Sequence, residues 1–435
     1  MPRSVLIISC FFPPVGGAGV QRVAKFSKYL PQLDWQPLVL TTLNPSVPLF
    51  DETLLDEIPE SVEIFRSKTL EPSYAAKAAV SNSSGDEQSK ASIGASIKKA
   101  IRKLATLILQ PDPQILWLPA AYRQGKKIIA ERKPDVIFVS APPFSSLILA
   151  ALLARKSHIP LVLDYRDEWD ISNSVWENRK IGRWSQMIQA RMQAYVLRSA
   201  SAVIATTRMS VEELSKKATQ LNQQLEYHCI YNGFDAEDFA NLTPRDQSRS
   251  DSKFTITYVG TLWNLTSIAP FVEALQLLSK TSPAIVDNIR LVIAGRRTAD
   301  QAKVLDSLQE TNVEVELLDY LDHASAIQTM HSSDCLLLLL GDYEFAGRVV
   351  PGKIFEYFAT SNSIITISPP GEVWDLLEGH PRASRVAPAD IQGIADILSD
   401  NVSRFLSNEA SDTEPFDANR FERLELTKQL ARVFE

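Results

Sequence analysis

Residues 4–42 read SVLIISCFFPPVGGAGVQRVAKFSKYLPQLDWQPLVLTT, and the alternation they set up runs through the chain. Val5–Ser9 is a short, mostly apolar run of strand length, and the glycine-rich turn Phe11–Gly19 follows it. Val20, Val23, Ala24, Phe26 and Leu30 then recur at helical spacing, and Leu38–Thr42 returns to a strand-like run. The same alternation continues downstream. Asp135–Ser140 precedes Ser145–Arg155, Leu161–Leu163 precedes Asp164, and Ala202–Thr206 precedes Val211–Lys217. Apolar strands alternating with helices predict a parallel sheet covered on both faces, an α/β fold.

The alternation stops at Thr243–Lys253, a polar stretch without periodicity. It restarts with strands at Phe254–Val259, Arg290–Ala294, Asp334–Leu340 and Ser363–Ile367, and helices at Ala269–Leu278 and Lys353–Thr360. Two α/β domains are therefore expected, 1–242 and 253–412. A terminal segment, 413–435, carries a helix with Leu424, Leu426, Leu430 and Val433. Residues 72–92 are small, polar and weakly patterned, as in an exposed insertion.

Composition narrows the function classes. With 435 residues, 45% apolar and 22% charged, the chain is an ordinary globular one, so disorder and small disulfide scaffolds are excluded. The formal net charge of −7 gives no global footprint for nucleic acid, so any bound anion needs a local device. Cys10, Cys229 and Cys335 are far apart and form no C-x-x-C pair, which fits a reducing compartment without a disulfide framework or zinc knuckle. No D-x-D triplet occurs, and the five histidines show no H-x-H or H-E-x-x-H spacing, so no metal and no cofactor is expected. The four-residue apolar run Val5–Ile8 is too short for a signal-peptide core, and no run approaches about 18 apolar residues. A cytoplasmic protein, soluble or peripheral, is expected.

Four segments can carry chemistry. In Phe11–Arg22, Gly16 and Gly17 let a backbone approach a ligand between a strand and a helix N-terminus. A dinucleotide fingerprint fits poorly there, because Arg22 stands where the third glycine belongs. A plain tight turn is the alternative. Leu161–Asp170 sets Asp164, Arg166 and Asp167 at a strand's C-terminal end, where open α/β sheets bind ligands. It also reads as a loop stitched by Arg–Asp pairs. Tyr231-Asn-Gly-Phe-Asp235 marks a turn. Gly347–Thr360 is the most informative. Pro351-Gly352 opens a helix with Lys353 in its first turn and Glu356 three residues on, on the same face. Arg348 and Lys353 suit a diphosphate, and Glu356 a ribose diol. A surface Lys–Glu pair is the alternative there.

In order along the chain, Pro-Pro-x-Gly-Gly, Asp-Tyr-Arg-Asp-x-Trp, Tyr-Asn-Gly-Phe-Asp, Tyr-Val-Gly-Thr-Leu and Pro-Gly-Lys-Ile-Phe-Glu-Tyr-Phe-Ala resemble a GT-B-fold glycosyltransferase. The set is most similar to family 4 retaining enzymes that build bacterial surface polysaccharides and glycolipids, over about residues 4–430. The resemblance implies two Rossmann-like domains facing a cleft, with the C-terminal helix crossing back to the first. It puts the nucleotide-sugar donor mainly on the second domain and the acceptor mainly on the first. It assigns Glu356 to the nucleotide ribose, Gly16 and Gly17 to the loop near the donor phosphates and acceptor, and Gly352 and Lys353 to the diphosphate turn.

Three departures stand out. Arg166 and Asp167 fall where many relatives place a sugar-contacting histidine. Arg348 occupies the position of the first acid of the family's Glu-x7-Glu. The segment after Gly260, Thr261–Ser267, lacks the cations that many relatives hold there. Arg296, Arg297, Arg348 and Lys353 are the expected substitutes, with Arg166, Asp167, Arg348 and Lys353 as the catalytic set.

Within Ile93–Gln110, Ile97, Ile101, Leu104 and Ile108 make one helical stripe, with Lys98, Lys99, Arg102 and Lys103 off it. A basic amphipathic helix can lie on an anionic membrane, here the inner face of the cell membrane, or pack on its own domain. The expected function is transfer of a sugar from a nucleotide-sugar to a glycan or lipid-linked acceptor. The rivals are a catalytically silent scaffold and a nucleotide-sugar epimerase of the same fold.

Overall fold

Seven parallel strands make the first sheet of the computed structural model: β1 (Arg3–Ile8), β2 (Trp35–Thr42), β3 (Glu63–Ser67), β4 (Val136–Ala141), β5 (Leu161–Tyr165), β6 (Ala202–Ala205) and β7 (Glu226–Cys229). Their spatial order is β3-β2-β1-β4-β5-β6-β7. The structure describes residues 3–77, 107–172, 182–240, 242–243, 253–360, 362–408 and 416–435. Lys98, Lys99, Arg102 and Lys103 lie outside the described residues, as does the 72–92 stretch beyond residue 77.

The chain divides into two units, Met1–Asn232 with Arg423–Glu435, and Gly233–Glu422. In the first, successive strand residues point to opposite faces, and both faces are buried. Leu6, Ile8, Leu38, Leu40, Ile137 and Val139 enter one apolar cluster. Val5, Ile7, Val39, Val136 and Phe138 enter the other. Two-sided burial explains why these strands read as continuous apolar runs. The helix Ala18–Tyr29 (α1) joins β1 to β2, burying Val20, Val23 and Phe26. The helices Ser145–Ser157 (α2) and Arg208–Gln220 (α3) follow β4 and β6, and Thr207 caps the latter by accepting from the Ser210 amide at 3.1 Å. The helix Arg423–Val433 (α4) belongs to this unit. Its Leu426 and Leu430 join the cluster of Phe26 and Trp35, and Phe434 just beyond it meets Trp35 and Phe138 edge-on at 5.2 and 5.7 Å.

The second unit holds β8 (Phe254–Val259), β9 (Ile289–Ala294), β10 (Glu314–Leu318), β11 (Cys335–Leu339), β12 (Ser363–Ile367) and β13 (Ala383–Val386), all parallel. The order is β10-β9-β8-β11-β12-β13. Ile256, Tyr258, Leu291, Ile293, Leu337, Leu339, Ile365 and Ile367 fill one apolar cluster beneath helices from Ala269–Thr281 and Ile391–Leu406. Where the chain enters and leaves this unit, Phe234 pairs with Glu422, its amide donating to the Phe421 carbonyl at 3.2 Å. Among the described residues, no helix is long and apolar enough to cross a membrane.

Candidate functional site

In an open parallel sheet the strand order reverses at one point, and the loops leaving the C-terminal ends there diverge to leave a crevice. In the second unit the reversal falls between β8 and β11. Gly260 leaves β8, and the loop after β11 leads through Arg348 and Gly352 into the short helix Lys353–Ala359. Ile354, Phe355, Tyr357 and Phe358 are buried on that helix, while Lys353 and Glu356 share its half-exposed side.

Aromatic packing fixes the buried side. Phe355 lies 5.1 Å from Phe421, and Phe358 lies 4.9 Å from Phe416 and 5.7 Å from the stacked ring of His380. The Tyr357 hydroxyl donates to the Leu337 carbonyl of β11 at 3.1 Å. The helix therefore has one way to sit, and it presents Lys353 and Glu356 outward.

The Lys353 ammonium lies over the Tyr258 ring, 4.0 Å from its centroid. A Cβ built on Gly260 would stand 2.6 Å from that Nζ. The structure thus brings Lys353 to the end of β8, the place where the sequence lacks a cation. Gly295, at the end of β9, has φ +132°, and a Cβ there would fall 2.3 Å from the Gly260 carbonyl oxygen, so this close approach needs glycine.

The other expected cations sit on neighbouring loops. Arg297 turns back on the sheet, donating to the carbonyls of Gly295 and Leu318 at 3.3 and 3.2 Å, with Asp319 at 3.8 Å. The exposed Arg296 lies 6.0 Å from the Tyr320 ring, and Arg348 lies 4.6 Å from the ring of Phe345. A cavity of about 420 Å³ in the same unit is lined by Asn264, Ser267, Glu273, Leu340, Asp342 and Ile391 among others, and by none of the expected site residues. Its charged lining is two carboxylates, which repel a diphosphate.

In the first unit the reversal lies between β1 and β4, and the glycine turn leaves β1 there. The Gly16 amide donates to the Leu49 carbonyl at 3.2 Å. Gly17, with φ +102°, caps α1, and a Cβ on it would meet nothing within 4 Å. Arg166 and Asp167 leave β5, with the Arg166 Nε 3.4 Å from the Asp167 carboxylate and its Nη1 donating to the Gly19 carbonyl.

Asp164 does not pair within its own loop. It is fully buried, takes Nε and Nη2 of Arg22 at 2.9 and 2.8 Å, and accepts from the Ser140 hydroxyl at 2.7 Å. Sequence reasoning missed this network. The available signals were a charged residue closing the apolar run Leu161–Leu163 and an arginine among the apolar positions of α1. Cys10 and Cys335 are buried, and burial pushes both thiols up, so neither supplies a thiolate. Among the described residues, no three His, Cys, Asp or Glu side chains are placed to hold a metal.

Residues 100–223 match the model of a glycosyl transferase 4-like domain. No curated protein sequence matches the chain. Among solved structures, Anabaena HepE in complex with UDP and glucose is similar with TM-score 0.59 and 16% identity, over 99% of each chain. Sucrose-phosphate synthase from Thermosynechococcus elongatus is similar with TM-score 0.64 and 14% identity, over 99% of this chain and 98% of that one. WaaG, a glycosyltransferase involved in lipopolysaccharide biosynthesis, is similar with TM-score 0.59 and 12% identity, over 99% of each. Its two parallel sheets and their likeness to these structures give the chain a two-unit α/β fold of the GT-B type, within which residues 100–223 match a glycosyl transferase 4-like domain.

Proposed function

We propose that the chain transfers a sugar from a nucleotide-sugar donor to a glycan or lipid-linked acceptor in cell-surface polysaccharide or glycolipid synthesis, with retention and without a metal. The observation that carries this reading is the pairing of Lys353 and Glu356 on one helix face, with the ammonium against Gly260 at the strand-order reversal. Glu356 takes the ribose diol. Lys353, with Arg348 and Arg296 on adjoining loops, faces the diphosphate, whereas Arg297 is committed to the Gly295 and Leu318 carbonyls. As the glycosidic bond to the donor breaks, the sugar gains oxocarbenium character and the diphosphate gains negative charge. A fixed ammonium next to the departing oxygens lowers the energy of that state without reorganising. Gly16, Gly17, Arg166 and Asp167 serve the sugar and acceptor side. HepE's complex with UDP and glucose supports a uridine donor as the first to try.

Retention rests on the family 4 resemblance, and the anomeric configuration of the product, read by NMR, tests it. The basic residues of 93–110, read from sequence, and the exposed Ile108 of the same segment's apolar stripe support docking on an anionic leaflet. Flotation with anionic vesicles, before and after changing Lys98, Lys99, Arg102 and Lys103 to Gln, tests that part.

The main test is nucleotide release from UDP-, GDP- and ADP-sugars, with and without acceptor extract and with and without a chelator. Acceptor-dependent release that survives the chelator is the expected result. No release from any donor identifies a silent scaffold, and acceptor-independent isomerisation of the sugar identifies an epimerase.

A further inference from the structure

The first turns of α1 and the end of β5 are tied to each other in both directions. Arg22, on α1, reaches Asp164 with two nitrogens at 2.8 and 2.9 Å. Its remaining donors go to the carbonyls of Ile230 and Tyr231 at 2.9 and 2.8 Å. Two residues past Asp164 the direction reverses, and Arg166 Nη1 donates back to the carbonyl of Gly19, three residues before Arg22. Arg166 is itself anchored by its backbone. Its amide donates to the Ala141 carbonyl at 3.0 Å, and its carbonyl accepts from the Thr206 hydroxyl at 2.8 Å.

The segment between these ties is Gly16-Gly17-Ala18-Gly19, three glycines in four residues. Such a turn has more conformations available than one without glycine, and holding it in one of them costs more entropy. Gly17 at φ +102° has no side-chain packing to hold it. Upstream, the Gly16 amide is held by the Leu49 carbonyl; downstream, the side chains that restrain the turn are the two arginines.

We propose that Arg166 and Arg22 are positioning residues, a reciprocal clamp that fixes the Gly16–Gly19 turn for the sugar-transfer site, and that Arg166 acts through the Gly19 carbonyl. The kinetic half of this inference rests on the proposed function. The structural half does not, so the two can fail separately.

The test is hydrogen exchange of the full chain without ligand, comparing the natural protein with Arg166→Ala and Arg166→Lys. Losing a charge-assisted hydrogen bond should speed exchange in peptides covering residues 10–22 by about tenfold or more, with β12 unchanged. Arg166→Lys, which keeps one donor for Gly19, should recover most of the protection. On the best donor found, Arg166→Ala and Arg22→Lys should each lower kcat/KM, and the double variant should be no worse than the poorer single one, because both act on one turn.

Unchanged exchange around residues 10–22 in Arg166→Ala overturns the clamp whatever the activity, as do additive kinetic losses. Faster exchange in a protein that uses no donor supports the clamp and removes the sugar-transfer reading instead. If Arg22→Lys does not fold, the Arg166 pair of variants still decides.

Discussion

Replacing Arg22 by Met leaves Asp164 buried at the end of β5 with only the Ser140 hydroxyl for company. Breaking one side of a buried ion pair typically costs about 3–5 kcal/mol, because the remaining charge stays out of water without compensation. The Ile230 and Tyr231 carbonyls lose donors as well, at about 1 kcal/mol each. We therefore expect Arg22→Met to destabilise the first unit by about 5–7 kcal/mol.

The double variant Arg22→Met, Asp164→Leu removes both charges and leaves only the carbonyls and Ser140 to be resatisfied. It should be more stable than Arg22→Met alone by about 2–3 kcal/mol. Urea unfolding followed by tryptophan fluorescence reads this, since Trp35, Trp117 and Trp169 are all buried in that unit. A single variant costing less than about 1 kcal/mol, the level of an exposed pair, would show that the pair is not desolvated as described. A double variant as unstable as the sum of both singles would show that the two side chains do not interact.

Lys353→Met keeps the contact with Tyr258 but removes the charge, and should weaken UDP binding by about tenfold to a hundredfold in calorimetry with little change in melting temperature. Unaltered affinity would take Lys353 out of the diphosphate site. Gly295→Ala forces a Cβ to within 2.3 Å of the Gly260 carbonyl at a φ that side chains avoid, and should destabilise the second unit by about 3 kcal/mol or more in denaturant titration. The His380 imidazole is held down to about 4, first by burial and then by the Arg382 charge. Between its unfolded value near 6.5 and about 4, the unfolded chain binds the proton and the native one does not, so stability present above pH 6.5 is lost as pH falls through that window. His380→Phe, which preserves stacking on Phe358 and Phe416, should flatten the loss by up to one proton in unfolding measured from pH 7.5 to 4.

The strands that sequence reading located are the interior ones. β1, β2, β4, β5 and β6 of the first sheet, and β8, β9, β11 and β12 of the second, all show as apolar runs because both of their faces are covered. The four strands it passed over, β3, β7, β10 and β13, are the two edges of each sheet. Their sequences, EIFRS, EYHC, EVELL and ASRV, are half solvated and carry charges, so neither a continuous run nor a clean alternation marks them.

At the site the same physics applies. Lys353 and Glu356 were legible because three residues of helix place them on one face. The approach of Lys353 to Gly260 was not, since it depends on which strand neighbours β8. The Arg22–Asp164 pair spans 142 positions, and only the assembled sheet brings its members together.

The placement of the helix Arg423–Val433 has a consequence for how the chain is made. Its Leu426 and Leu430, with Phe434, complete the apolar layer around Phe26, Trp35 and Phe138. During synthesis that layer stays open until residues 423–434 leave the ribosome, whereas the unit 233–422 has all of its parts earlier. The unit built on β1–β7 is therefore completed only after the unit 233–422, and its aromatic face stays uncovered while residues 233–422 are made. A nascent chain stalled near residue 420 is the species that a chaperone should hold longest.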